Sequence, residues 1–275
     1  MPDFLSEFFT IFLNYAAFRF SFLVVLGLCI GSFLNVIIFR LPRMILADYA
    51  QFNLLGPRSL CPKCGGKIHA IDNIPLLSYI MLRGRCRLCH GKISPRYFCI
   101  ELFSAIILLF MWSFCADPFI ALMGYIFVMT LLILTVIDFE TQLLPDIITI
   151  PFLWLGLIVN LNNTFAGIES AVIGAVIGYL SLWSIYCVFT PTTKKEGMGY
   201  GDFKLLAGIG AWLGWQSMLP VILISSTVGL LFGLMSLRAH QQSIPIPFGP
   251  FLALSGLIYF FNGDLILHTL NSIYQ

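Results

Sequence analysis

Two aspartates sit where an aspartate is costly. Asp138 closes the apolar run Leu134-Thr135-Val136-Ile137, and Asp202 follows the glycine-dense stretch Gly197-Met198-Gly199-Tyr200-Gly201 just before another apolar segment. An ionisable residue at membrane depth is a functional-site candidate by default. Two carboxylates held close in low dielectric repel one another, so the pair keeps one proton near neutrality. The ionised member can then take a proton from water while the protonated one polarises a peptide carbonyl, which is the chemistry of an aspartyl hydrolase. Each acid also has a plainer reading, Asp138 as a charge at a helix end and Asp202 as the N-cap of the helix after it. The cap reading leaves the glycine density unexplained. Asp146 follows Pro145 in the first turn of a span, where the helix dipole favours negative charge, and is expected to be structural. Glu140 and Glu196 read as solvated loop charges, and Lys204 as a marker of the aqueous boundary.

A second constellation is built on sulfur. Cys61-Pro-Lys-Cys64 and Cys86-Arg-Leu-Cys89 are separated by 21 residues, a spacing that suits a tetrahedral four-thiolate site for a structural Zn2+. Such a site would fold a loop too polar to build its own core. A redox dithiol and unligated thiols are the alternatives. Four thiolates complete a tetrahedron, so His69 and His90 are expected to stand aside, and no position is left for a catalytic water. The remaining Cys29, Cys99, Cys115 and Cys187 lie in apolar runs and read as small buried hydrophobes.

The elements that must position these groups are membrane helices. Hydrophobic residues make up 59% of the 275 and charged residues 10%, with a mean hydropathy of +0.93, which leaves too little polar surface to coat a soluble domain. The expected fold class is all-α: a polytopic integral membrane protein of about eight transmembrane helices, with a cytoplasmic zinc-knuckle loop between spans one and two. The spans thread at about 20–39, 97–115, 118–138, 145–162, 166–189, 204–216, 218–237 and 250–268. Three regions follow: 1–39, an interfacial prefix and the first span; 40–96, the basic zinc loop; and 97–275, a seven-span peptidase domain. Asp3 and Glu7 stand in place of a basic n-region and no small-residue cleavage site follows, so Met1 is expected to stay.

Orientation comes from the placement of charge. The loop holds Arg40, Arg43, Arg58, Lys63, Lys67, Arg83, Arg85, Arg87, Lys92 and Arg96 against Asp48 and Asp72, which makes it cytoplasmic by the positive-inside rule. Alternating the spans from an outside N-terminus also puts Lys194, Lys195, Lys204 and Arg238 inside, with Arg19 as the exception. Asp138 and Asp202 then both lie at cytoplasmic span ends. The weakest step is 204–237, where Gly214-Trp215-Gln216 must form a tight outer turn between two short spans; one long tilted span would invert everything after it. Gly31-Ser32 lets a neighbouring helix approach the first span closely. Glu101, the carboxylate inside the second span, is either functional or paired with Arg96 or Arg40. Ile244-Pro245-Ile246-Pro247-Phe248-Gly249-Pro250 is an extended lead into the last span.

Taken together, Gly31-Ser32-Phe33-Leu34-Asn35-Val36 with Arg40-Leu41-Pro42, the paired Cys motifs, Asp138 with Leu144-Pro145-Asp146, Gly199-Tyr200-Gly201-Asp202 and Pro247-Phe248-Gly249-Pro250 resemble the bacterial type IV prepilin leader peptidases, bifunctional Gly-x-Gly-Asp membrane proteases, almost from end to end. The resemblance implies that Asp138 and Asp202 are the catalytic pair. It implies that a prepilin or pseudopilin precursor is cut on the cytoplasmic side of its hydrophobic segment, between Gly and usually Phe. The new amine would then be N-methylated from S-adenosylmethionine. Glu101, in the family's Arg-Tyr…Glu-Leu stretch, is tied by the resemblance to methylation. The methyl-donor site does not follow from the sequence, which has no strand leading through a glycine-rich turn into a helix. The implied location is the bacterial inner membrane, multi-pass, with the N-terminus periplasmic and the active site facing the cytoplasm; membrane lipid, and not nucleic acid, is the other partner. The competing classes are a metal or proton transporter with a cytoplasmic zinc knuckle, whose acids should sit near the bilayer midplane, and an assembly protein without activity.

Overall fold

Each apolar run threaded above is helical in a computed structural model that describes residues 12, 14–46, 53, 54, 56, 58–193, 198–240 and 246–273. In chain order these are α1 (Ala16–Ile45), the short α2 (Leu77–Met81), α3 (Pro95–Phe114), α4 (Pro118–Thr141), α5 (Asp146–Val159), α6 (Ile168–Thr193), α7 (Tyr200–Leu213), α8 (Met218–His240) and α9 (Gly249–Ile273). Among the described residues there is no strand, only the isolated antiparallel bridges Leu60 with Lys67 and Arg85 with Lys92. Among the described residues, six helices, α1, α3, α4, α6, α8 and α9, are long and apolar enough to cross a membrane, where about 20 residues are needed. The protein is therefore an all-α, polytopic membrane protein. The stretch after Lys204 breaks at Gly214, whose φ of 79° costs a residue without a Cβ little. A 3-10 turn, Trp215–Ser217, then starts α8. Lys194, Lys195, Glu196, Gly197, Ile244, Pro245 and the 1–11 prefix lie outside the described residues.

The chain divides into two compact units, one ending at Ile126 and one starting at Phe127. In the first, α1 and α3 pack backbone to backbone. A Cβ on Gly27 would lie 2.6 Å from Ala105 Cα, and one on Gly31 would lie 2.7 Å from Glu101 Cα, the close approach that small residues permit in membranes. Ser104, buried at this contact, donates to Gly27 O at 2.6 Å and meets the Tyr125 hydroxyl at 2.7 Å. Cys29 and Cys99 lie on the outer surface of these helices, as Cys187 does on α6. That corrects their reading as buried: apolar residues of a membrane helix can face lipid as readily as protein.

The second unit is organised around α7. From Asp202 to Leu213 every residue except Lys204 is buried. A Cβ on Gly174 of α6 would meet Gly210 O at 2.6 Å, and one on Gly178 would meet Leu206 O at 2.7 Å. Trp212 donates to Phe152 O at 2.8 Å and packs its ring against Phe127, Phe152 and Phe165. Asn160 donates to Ala211 O and Trp212 O, both at 2.9 Å, and accepts from Phe165 N and Ala166 N at 3.0 Å. These bonds matter because a 14-residue helix is about 21 Å long, short of a hydrocarbon core of about 30 Å. Backbone ends at that depth are tolerated only when protein encloses and satisfies them.

Candidate active site

Asp138 lies in the last turn of α4, which ends where Gln142 takes a left-handed φ of 53°. It is 5% exposed, and its Oδ2 has no hydrogen-bond partner. An ordinary helix-end charge would be solvated, so that reading does not hold. Gly249, the first residue of α9, presents its N–H to this carboxylate, and a Cβ on Gly249 would lie 2.5 Å from Oδ2.

Asp202 is the third residue of α7, not its N-cap; the cap is Gly199, in extended conformation and without a side chain to supply the bond. The Asp202 carboxylate reaches back to the Gly199 N–H, half of a capping box. Its Oδ1 is buried without a partner, and the residue is 7% exposed. The two acids are near enough for their charges to interact. Leu144 links their surroundings: its side chain is what a Cβ on Gly201 would strike, at 2.6 Å, and it lies 3.2 Å from the Cβ position of Gly249. The two buried carboxylates thus each keep one unpartnered oxygen, and each stands beside a glycine with no room for a side chain.

Asp146 is exposed and paired with Lys204, whose Nζ donates to both carboxylate oxygens at 2.6 and 2.7 Å. Lys204 thereby does more than mark a boundary, because it ties the start of α5 to α7. Sequence reasoning missed this pair and the role of Gly249. The only signal for the latter was the Pro-spaced lead ending Pro247-Phe248-Gly249-Pro250.

In the first unit, the sulfurs of Cys61, Cys64, Cys86 and Cys89 all lie within 4.8 Å of one another, with Cys61 and Cys89 at 3.9 Å. Tetrahedral Zn2+ with bonds of about 2.3 Å places its sulfurs about 3.8 Å apart, so the four thiols fit the ion. The knuckles fold alike. Cys61 N bonds Gly66 O and Cys86 N bonds Gly91 O, both at 2.9 Å, and the residue after each second Cys, Gly65 or His90, has φ of 67° or 55°. His90 thus fills a turn position and is outside the group of four clustered sulfurs. N–H groups of Cys89 and Leu88 are aimed at the Cys86 sulfur, an arrangement that favours a thiolate there. Glu101 is 8% exposed. It accepts from Leu76 N at 2.8 Å and from the Ser32 hydroxyl, and pairs with neither Arg96 nor Arg40, the latter donating to Asn53 O and Gly56 O. Leu76 has φ of 58°, so the carboxylate holds a strained residue at the start of α2.

Comparison with known proteins bears on both units. The family model described as bacterial peptidase A24 N-terminal domain matches residues 25–114, and that described as type IV leader peptidase family matches 125–234. A prepilin leader peptidase/N-methyltransferase from Aeromonas hydrophila is 48% identical over 266 residues, covering 90% of this chain and 92% of the relative. The chain belongs to the type IV leader peptidase family. Proteins of the same description from Pseudomonas aeruginosa and Dichelobacter nodosus are each 44% identical, over 90% and 89% of this chain and 91% and 92% of their own lengths. No solved structure gives a significant match. Within this family, the peptidase match contains Asp138 and Asp202, and the N-terminal match contains Glu101 and all four clustered cysteines.

Proposed function

We propose that this chain is the membrane aspartyl endopeptidase that removes the leader of type IV prepilins or pseudopilins at the cytoplasmic face of the bacterial inner membrane, and that it N-methylates the new terminus. The observation that carries the peptidase reading is the Asp138–Asp202 site, with one unpartnered buried oxygen on each acid. One aspartate is ionised and takes a proton from a water held between them. The oxygen of that water attacks the scissile carbonyl carbon while the protonated aspartate donates to the carbonyl oxygen. Collapse of the tetrahedral adduct breaks the C–N bond, and the proton taken from water passes to the leaving nitrogen. The absence of a Cβ at Gly249 lets the start of α9 close on Asp138, and its absence at Gly201 lets Leu144 pack against the start of α7. Asp138 sits in the last turn of α4, a 24-residue helix long enough to cross the membrane by itself, which argues against a midplane transport site.

The four cysteines would hold a structural Zn2+ that closes the knuckles on one another. S-adenosylmethionine would supply an electrophilic methyl group to the cleaved amine. Glu101 would serve that reaction as a positioning residue, by fixing Leu76 and with it the fold of the loop. The one-sided Lys and Arg distribution supports an N-terminus in the periplasm. Cleavage of a synthetic pilin precursor by purified protein tests the reading. Asp138→Asn and Asp202→Asn should each nearly abolish cleavage in a folded protein, because an amide cannot accept the proton from water; near-normal cleavage by either would refute the mechanism.

A further inference from the structure

The loop between α1 and α3 has two features that neither hydrolysis nor metal binding uses. One is apolar: Ile71, Leu77, Ile80 and Met81 are 67%, 57%, 62% and 70% exposed, although they lie outside every candidate span. The other is cationic. Arg83, Arg85 and Lys92 line a cavity of about 450 Å3 with Tyr79 and Ser94. The Arg85–Lys92 bridge sets two positive side chains opposite one another, which is unfavourable unless an anion lies between them. Asp72 cannot serve, because Arg87 holds it at 2.6 Å.

The position of this face identifies its occupant. Leu76 N bonds Glu101 at 2.8 Å, the Tyr79 ring packs on Phe98 at 5.4 Å, and Ile93 N bonds Gly84 O at 2.8 Å. Glu101 is six residues into a helix that begins at Pro95, about 9 Å along its axis. The exposed side chains around α2 are therefore tethered within about two turns of the end at which α3 begins, with the cations beside them. We infer that α2 and the Arg83, Arg85 and Lys92 cluster form a docking surface for anionic phospholipid of the surrounding leaflet. The apolar side chains enter the acyl boundary and the cations meet lipid phosphate, the arrangement of an interfacial amphipathic element. A five-residue helix cannot hold itself together; here Glu101 and the knuckles hold it, and lipid covers what they leave exposed.

The test is photocrosslinking in the full-length chain. p-Benzoylphenylalanine replaces Ile80 or, separately, Met81, in nanodiscs of equal phosphatidylglycerol and phosphatidylcholine, with zinc content measured to verify a folded loop. Irradiation should yield phospholipid adducts on the 70–93 peptide, with phosphatidylglycerol favoured about fivefold, on the order of what one surface cation contributes. Arg85→Ala with Lys92→Ala should keep the adducts and bring that ratio to about one. Crosslinks to residues 127–275 or to added pilin peptide in place of lipid would overturn the inference. So would equal labelling by the two lipids in the chain without the alanine changes. Loss of the preference on adding inorganic phosphate would mark a free-anion site and overturn it too.

Discussion

Replacing Gly249 with alanine adds one methyl group where the second unit has no space for it. The new Cβ would lie 2.5 Å from Asp138 Oδ2 and 3.2 Å from Leu144 Cδ1, whereas ordinary contact begins at 3.4 Å. Relief requires the carboxylate or the start of α9 to move by about 0.9 Å, and displacement of a reacting group by about 1 Å costs on the order of a hundredfold in rate. Cleavage by Gly249→Ala should thus fall about a hundredfold in kcat, or about 2.7 kcal/mol, with little change in KM. Stability should hold: overpacking costs about 1–3 kcal/mol, offset in part by the roughly 1 kcal/mol helix preference of alanine over glycine. The assay follows one pilin precursor by mass spectrometry, separating uncut, cut, and cut-and-methylated species. Methylation of pre-cut peptide serves as the internal control, since Gly249 lies far along the chain from the N-terminal match. A folded Gly249→Ala variant that cleaves within about threefold of wild type would show that Gly249 does not position Asp138.

The zinc site should hold about one ion per chain, and Cys61→Ser with Cys64→Ser should release it; full retention by metal analysis would reject the assignment. Glu101→Gln should leave cleavage within a few fold of wild type while methylation falls more than about tenfold, about 1.4 kcal/mol; equal losses in the same mass-spectrometric assay would show that Glu101 only supports the fold. Asp146→Asn should slow cleavage by no more than about fivefold, because an exposed ion pair contributes under about 1 kcal/mol; a loss matching Asp138→Asn would place Asp146 in the chemistry. Single cysteines at 190–200 in a Cys-reduced background should react only with reagents that reach the cytoplasm, and those at 162–165 only from outside; the reverse labelling would invert the orientation.

The helices were legible in the sequence because membrane hydropathy is a local property. Each apolar run from 20–39 to 250–268 became a helix, and Gly214 broke the 204–237 stretch where its conformational freedom allowed. The knuckles were legible for a similar reason: Cys-x-x-Cys closes over four residues, and His90 matches Gly65 in the same turn. Asp138 and Asp202 could be nominated, since a carboxylate beside apolar residues is conspicuous wherever the chain takes it. What surrounds them could not. That Asp202 sits one turn past a glycine cap, that Lys204 holds Asp146, that Glu101 meets Leu76 and Ser32 instead of an arginine, and that Gly249 closes on Asp138 are all outcomes of packing between segments distant in the chain. Hydropathy marks which segments enter the membrane, but only the tertiary contacts decide which faces meet and how far each helix is shifted along its neighbours. A turn or two of that shift separates a buried, unpartnered carboxylate oxygen from a solvated charge.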